Sequence, residues 1–183
     1  SVQAACEKVG LSSVITSDKN QILDANIAIL PGVGAFGEAM KYLKESKLDE
    51  VIHKFVDTGK PFVGICLGLQ LLFDSSEEFG DNSGLGLIKG KVKKFKFHSD
   101  NSTKYPVPQI GWNMIQQNET SWDGTLLCKN RNNEFMYFVH SYYVEPDDEK
   151  VIITSTTYGN QNYCSAIHHK NIFATQFHPE KSG

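Results

Sequence analysis

Cys66 lies far along the chain from His178 and Glu180, yet the three have the residue types and local settings of a nucleophile, a base and the acid that orients the base. Cys66 follows the apolar run Phe62-Val63-Gly64-Ile65 and precedes Leu67-Gly68-Leu69-Gln70-Leu71-Leu72-Phe73. A buried strand that turns sharply into a helix, with the nucleophile at the corner, is a nucleophile elbow. The corner strains the backbone, and side chains two positions before and after the nucleophile collide unless both are glycine; Gly64 and Gly68 stand there. The helix N-terminus predicts a lowered thiol pKa and a reactive thiolate near neutral pH. The alternative is a structural cysteine, packed as a small hydrophobe.

At the other end, the strand-like run 173–177 delivers His178-Pro179-Glu180 into a loop. Pro179 fixes its own φ and disfavours helix at His178, so an extended tripeptide is expected, with both polar side chains projecting to one side. Glu180 then holds the ring while His178 takes the thiol proton and later gives it to a leaving amine. Taken alone, the tripeptide also reads as an exposed His-Pro turn beside a solvated Glu. Attack on a carboxamide creates an oxyanion, which needs backbone N–H donors. Leu67, after the nucleophile, supplies one, and Gly32-Val33-Gly34 is the expected source of a second; a plain Pro-Gly turn is the other reading of that loop.

GICLGLQ at 64–70 together with HPEKS at 178–182 resembles the class I, triad-type glutamine amidotransferases. PGVGAFG at 31–37, GWN at 111–113 and YFVHSY at 137–142 are similar to the glutaminase subunits of imidazole glycerol phosphate synthases, across nearly the whole chain and in the expected order. The resemblance implies glutamine hydrolysis to glutamate and ammonia through a Cys66 thioester, without a cofactor. It assigns the oxyanion role to Leu67, Val33 and Gly34, and substrate contacts to Gln70, His140, Ser141 and Tyr142. It further implies a heterodimer with a (β/α)8 cyclase that uses the ammonia in histidine biosynthesis, docked at Trp112, Asn113, Tyr137 and Lys181. Read only as residues, Gln70 is a polar position on an apolar helix, His140 a core histidine, Trp112 and Tyr137 core aromatics, and Lys181 a solvated charge.

One departure stands out: Gln109 precedes Ile110-Gly111-Trp112-Asn113 where the family usually has His, and the preceding loop is long. This leaves open a paralogous glutaminase serving surface-sugar or lipopolysaccharide synthesis. A non-catalytic docking subunit is the alternative from another class, against which all three triad positions are filled.

The chain has 183 residues, 40% of them hydrophobic, which suits one domain, residues 1–183, with a sizeable core. A net charge of −3 argues against nucleic-acid binding. The lysine-rich segment 89–97 alternates with Val and Phe, as a half-buried strand does. Cys6, Cys66, Cys128 and Cys164 form no CxxC pair, and a reducing, cytoplasmic compartment fits them. The adjacent His168 and His169 point to opposite faces of a strand, so no metal site is expected. Nor is there an apolar stretch of about 20 residues, the length of a membrane span.

Strands are expected at 13–15, 27–30 and 62–65, with helices over 35–45 and 48–58, the helix after Cys66 continuing to Phe73. Further strands are expected at 110–117, 135–144, 151–157 and 172–177, and surface loops at 81–86 and 100–103. The β-α-α-β-elbow-α order predicts an α/β three-layer sandwich whose central sheet is mixed, mostly parallel, and flanked by helices. Ser1 to Val9 reads as mid-helix, and similar proteins add an N-terminal strand and a C-terminal helix, so truncation at both ends is expected.

Overall fold

The structure, a computed structural model, describes residues 1–97 and 105–182. The loop expected over 100–103 lies outside them. In chain order the elements are α1 (Val2–Lys8), α2 (Lys19–Asp24), β1 (Ala28–Gly32), α3 (Phe36–Glu45), α4 (Leu48–Asp57), β2 (Phe62–Cys66), α5 (Leu67–Leu71), β3 (Phe73–Ser76), β4 (Asn82–Ser83), β5 (Ile88–Lys94), β6 (Gln109–Met114), β7 (Gln116–Gln117), β8 (Phe135–His140), β9 (Tyr142–Pro146), β10 (Ile152–Tyr158), β11 (Gln161–His169) and β12 (Ile172–Thr175).

Helical spacing explains α3 and α4. Phe36, Met40 and Leu43 line one side of α3, and Leu48, Val51, Ile52 and Phe55 line one side of α4; all are buried. Both helices pack on one face of a mixed sheet ordered β1-β2-β12-β11-β9-β5-β3-β4. Strand alternation separates two cores. Along β12, Ile172 and Ala174 join the helix-covered core, while Phe173 joins an aromatic core with Phe95, Phe138, Tyr163 and Phe177 on the other face. The two-stranded ribbon β6–β8 contributes to that second core through Met136 and Phe138.

Several expectations are corrected. The sheet is mixed, but parallel pairing is confined to β1–β2, β2–β12 and β3–β5, and the other ladders are antiparallel. The strands of the second half follow one another through short connections, which favours antiparallel pairing. Residues 13–15 form no strand; Val14 and Ile15 are exposed, and no described strand lies alongside to pair with them. The helix after Cys66 ends at Leu71, because Phe73 pairs with Ile88 in a parallel ladder. The 110–117 run breaks at the fully buried Ile115, where the chain leaves β8 for β10. The 135–144 run breaks at Ser141, whose carbonyl accepts from the Phe95 N–H.

Candidate active site

Three parallel strands in register converge on one spot. Gly32 at the end of β1 pairs with Cys66 at the end of β2, and Ile65 pairs with Thr175 at the end of β12. The C-terminal ends of adjacent parallel strands thus deliver the Gly32–Gly34 loop, Cys66 and the His178 turn to a common edge, the usual place for sites in such sheets. Cys66 has φ 55° and ψ −109°, a strained corner for a residue with a side chain. The glycine requirement is physical. A Cβ on Gly64 meets the Gly68 backbone at 3.0 Å and Ala174 Cβ at 3.1 Å, and one on Gly68 runs into the Leu30 carbonyl.

His178 Nδ1 lies 3.0 Å from Glu180 Oε1, with both side chains almost wholly out of solvent. The tripeptide is not simply extended: His178 is, but Pro179–Lys181 form one turn of 3-10 helix, which folds the carboxylate back to the ring. His178 Nε2 is buried without a hydrogen-bond partner among the described residues. The turn is pinned from β8. His178 N donates to the Tyr137 carbonyl at 2.9 Å, and Ser182 Oγ accepts from Tyr137 N at 3.0 Å while donating to the His178 carbonyl at 2.6 Å.

The lowered thiol pKa expected from the helix terminus is overturned. Burial pushes Cys66 up to about 11, outweighing the Leu67 N–H and the Gln176 amide, which both pull it down. A five-residue helix in a dry pocket offers too little compensation. The resting group is a thiol, aimed at the Val139 carbonyl 3.9 Å away, and no hydrogen bond joins it to His178.

Cys66, Leu67, Gln70, Val33, Gly34, His140, Ser141, Tyr142 and His178 all line one cavity of about 260 Å³. The residues expected for nucleophile, base, oxyanion loop and substrate contacts therefore share a chamber. Gly34 has φ +98°, a turn open to glycine, and Val33 is 83% exposed at the mouth. Behind the loop, Glu78 Oε2 accepts from Phe36 N at 2.6 Å and caps α3 from outside. His140 is satisfied on both sides: Nδ1 donates to the Tyr142 carbonyl at 2.8 Å, and Nε2 pairs with the Tyr163 hydroxyl at 3.2 Å. Burial pushes its pKa down to about 4, so the ring is neutral. Gln109 is buried and bonds the same Tyr163 hydroxyl at 3.0 Å. The departure from the family pattern therefore lies inside the protein.

Trp112 and Tyr137 face each other across β6–β8 at 6.0 Å, and the Lys181 ammonium sits 5.5 Å over the Tyr137 ring. Asn113 is apart, its neighbour in register being the buried Met136 and its amide donating to the Thr157 carbonyl at 2.9 Å. The outer ribbon face exposes Ile110, Trp112, Met114 and Phe135, an apolar patch beside the His178 turn. A larger cavity of about 780 Å³ opens at the opposite ends of β2 and β12 and contains none of the expected site residues. Cys164 is buried, whereas Cys128 is exposed. Sequence reasoning missed Gln176, Ser182 and Glu78. Gln176 lies within the apolar run 173–177, where a polar residue at a strand end was the available signal.

The sequence profile of the family "Glutamine amidotransferase class-I" matches residues 2–183. The chain is 45% identical over 183 residues to the imidazole glycerol phosphate synthase subunit HisH of Aquifex aeolicus, covering 100% of this chain and 84% of that protein. It is 46% identical to the HisH subunit of Sulfurimonas denitrificans, covering 100% and 85%. A crystal structure of a glutamine amidotransferase shares the fold with TM-score 0.71 at 16% identity, over 98% of this chain and 84% of that one. With the elbow, the His-Glu turn and the glycine loop around one chamber, this chain belongs to the class I glutamine amidotransferases, among the HisH subunits of imidazole glycerol phosphate synthase.

Proposed function

We infer that this chain is the glutaminase subunit of an imidazole glycerol phosphate synthase: it hydrolyses glutamine and passes the ammonia to a cyclase partner in histidine biosynthesis. The convergence of Cys66, His178 and the Gly32–Gly34 loop on one cavity carries this reading. His178 Nε2, which has no other partner among the described residues, takes the thiol proton, and the sulfur attacks the side-chain carbonyl carbon of glutamine. The oxyanion of the tetrahedral intermediate is held by N–H groups of Leu67 and of the Val33–Gly34 loop. When that intermediate collapses, the C–N bond breaks, ammonia leaves with the proton from His178, and a thioester remains. Water, deprotonated by the same ring, then releases glutamate and restores the thiol. Glu180 keeps the ring in its Nδ1–H tautomer and stabilises the imidazolium.

The cyclase, read as a (β/α)8 barrel, covers the apolar ribbon face around Trp112, Tyr137 and Lys181. Strand β8 carries both that face and the Val139 carbonyl that holds the resting thiol. Docking that moves β8 therefore frees the S–H for His178, and a weakly active isolated subunit is expected. Residues 1–183 act as one domain, and four free thiols suit the cytoplasm. The test is a glutaminase assay with and without the cyclase and its ribonucleotide substrate. Glutamate release that rises at least about tenfold with both supports the reading. Release that ignores them while responding to a sugar-modifying synthase refutes it.

A further inference from the structure

Gln176 is a fully buried amide one residue past β12 and two before His178. Its backbone N–H donates to the Ser165 carbonyl at 2.9 Å, so its side chain is held in place from both ends. Nε2 lies 3.7 Å from Cys66 Sγ, and Oε1 lies 3.0 Å from Gln70 Nε2, which is also 2.9 Å from the Tyr142 carbonyl. Amide nitrogen and oxygen are told apart by their partners. Here the partners leave one solution. The Tyr142 carbonyl can only accept, so Gln70 must point its NH2 group there. That same nitrogen faces Gln176, which must answer with oxygen, and the NH2 of Gln176 is left facing the sulfur. Reversing either amide opposes like ends of two buried side chains, at the cost of unmade hydrogen bonds.

We propose that Gln176 is a catalytic residue that stabilises the Cys66 thiolate through its Nε2–H, and that Gln70 locks it in that orientation. An N–H to a neutral thiol is weak, while one to a thiolate is charge-assisted, so the contact strengthens as the proton leaves for His178. Together with the Leu67 N–H, it gives the sulfur two neutral donors in a dry pocket. The ionisable groups around the sulfur are His178, Glu180 and Lys181 on the turn, His140 on β8, Tyr142 at the start of β9 and Glu78 at the cavity wall. Glu180 opposes the thiolate and Lys181 favours it. A consequence follows for the substrate, and it rests on the glutaminase reading. Gln70 spends both Nε2 protons on Tyr142 and Gln176, so only its Oε1 remains for the cavity. Gln70 then presents only a hydrogen-bond acceptor to a bound glutamine.

The test needs no glutamine. The pH dependence of iodoacetamide alkylation at Cys66 is followed by peptide mass spectrometry in the full chain, with folding checked by circular dichroism. Gln176→Met removes the donor, and alkylation at pH 8 is expected to fall about tenfold, its midpoint moving up by about one pH unit. Gln176→Glu keeps the shape and the acceptor for Gln70 but sets a carboxylate against the sulfur; a fall of about a hundredfold is expected. Gln70→Glu leaves position 176 untouched and forces its amide to turn over, so it too should slow alkylation about tenfold. If Gln176→Met does not fold, the two isosteric variants decide. Titration within twofold of the parent in the folded variants overturns the proposal. Glutamine hydrolysis surviving in Cys66→Ala would instead sink the glutaminase reading, with the thiol titrations unaffected.

Discussion

The elbow edge of the sheet and the β6–β8 ribbon invert the ordinary solvent rule in opposite directions. At the edge, Cys66, Gln70, His140, Gln176 and His178 are taken out of water, while on the ribbon Ile110, Trp112 and Phe135 are left in it. Each arrangement is costly alone. They are joined by one strand, since Tyr137 and Val139 of β8 face outward on the ribbon while their carbonyls meet His178 N and Cys66 Sγ. The contrast teaches a division of labour. The dry edge is preassembled but quiet, with its thiol held protonated, and on the proposed reading the wet apolar ribbon is where a partner's binding energy enters.

Cys66→Ala breaks the comparison most completely. Glutamine hydrolysis should fall by about 10⁶-fold, as when a triad nucleophile is removed, while cyclase binding measured by calorimetry stays within about twofold. Trp112→Ala is the mirror image. An exposed aromatic anchor at the centre of such a face is worth about 2–4 kcal/mol, so the dissociation constant should rise by about 30-fold to 10³-fold. Partner-free hydrolysis should change by less than about twofold. Loss of basal hydrolysis together with binding would mean that the ribbon shapes the resting site as well.

Legibility in the sequence followed locality. The elbow, the glycine pair and the α3 and α4 faces depend on short-range sterics and periodicity, and the elements expected at 62–65, 35–45 and 48–58 form at 62–66, 36–45 and 48–57. The Cys66 pKa was not legible, because a helix terminus is a local signal and burial by distant strands is not. For the same reason β11 and the breaks at Ile115 and Ser141 were missed, since these strands end where a tertiary partner changes. Asn113 sits next to Trp112 in sequence, but strand alternation puts it on the other face. Gln176 was hidden in an apolar run, and only its neighbours in space reveal its polar contacts.

His140 sharpens the comparison through pH. Its pKa drops from the ordinary 6.5 to about 4 because burial disfavours the charged ring. A depressed folded pKa contributes stability that is present above the unfolded value and is lost as pH falls through the folded one. From pH 7 to pH 5, this residue alone should cost about 2 kcal/mol, read from urea unfolding midpoints. His140→Gln should flatten that part of the profile, and an equally steep profile in the variant would show that the ring titrates normally. Trp112→Ala should leave the slope unchanged, because the substitution removes no titratable group.

Lys181 is the smallest effect and the one that tests the junction. Its ammonium lies over the Tyr137 ring on the ribbon side, and its charge also pulls the Cys66 thiol pKa down. Lys181→Met keeps the apolar stem and removes both influences. An exposed cation–π contact is worth about 0.5–1 kcal/mol, so unfolding midpoints should shift only slightly. Association with the cyclase should slow a few-fold, and the residual rate should lose part of its salt dependence, as expected for a charge at an interface rim. Alkylation of Cys66 should slow by less than about threefold, an effect that 0.5 M salt abolishes in the parent, since exposed charges are screened over about 10 Å or less. A change in association without any change at the thiol would confine Lys181 to the ribbon, and would leave β8 as the route between the two regions.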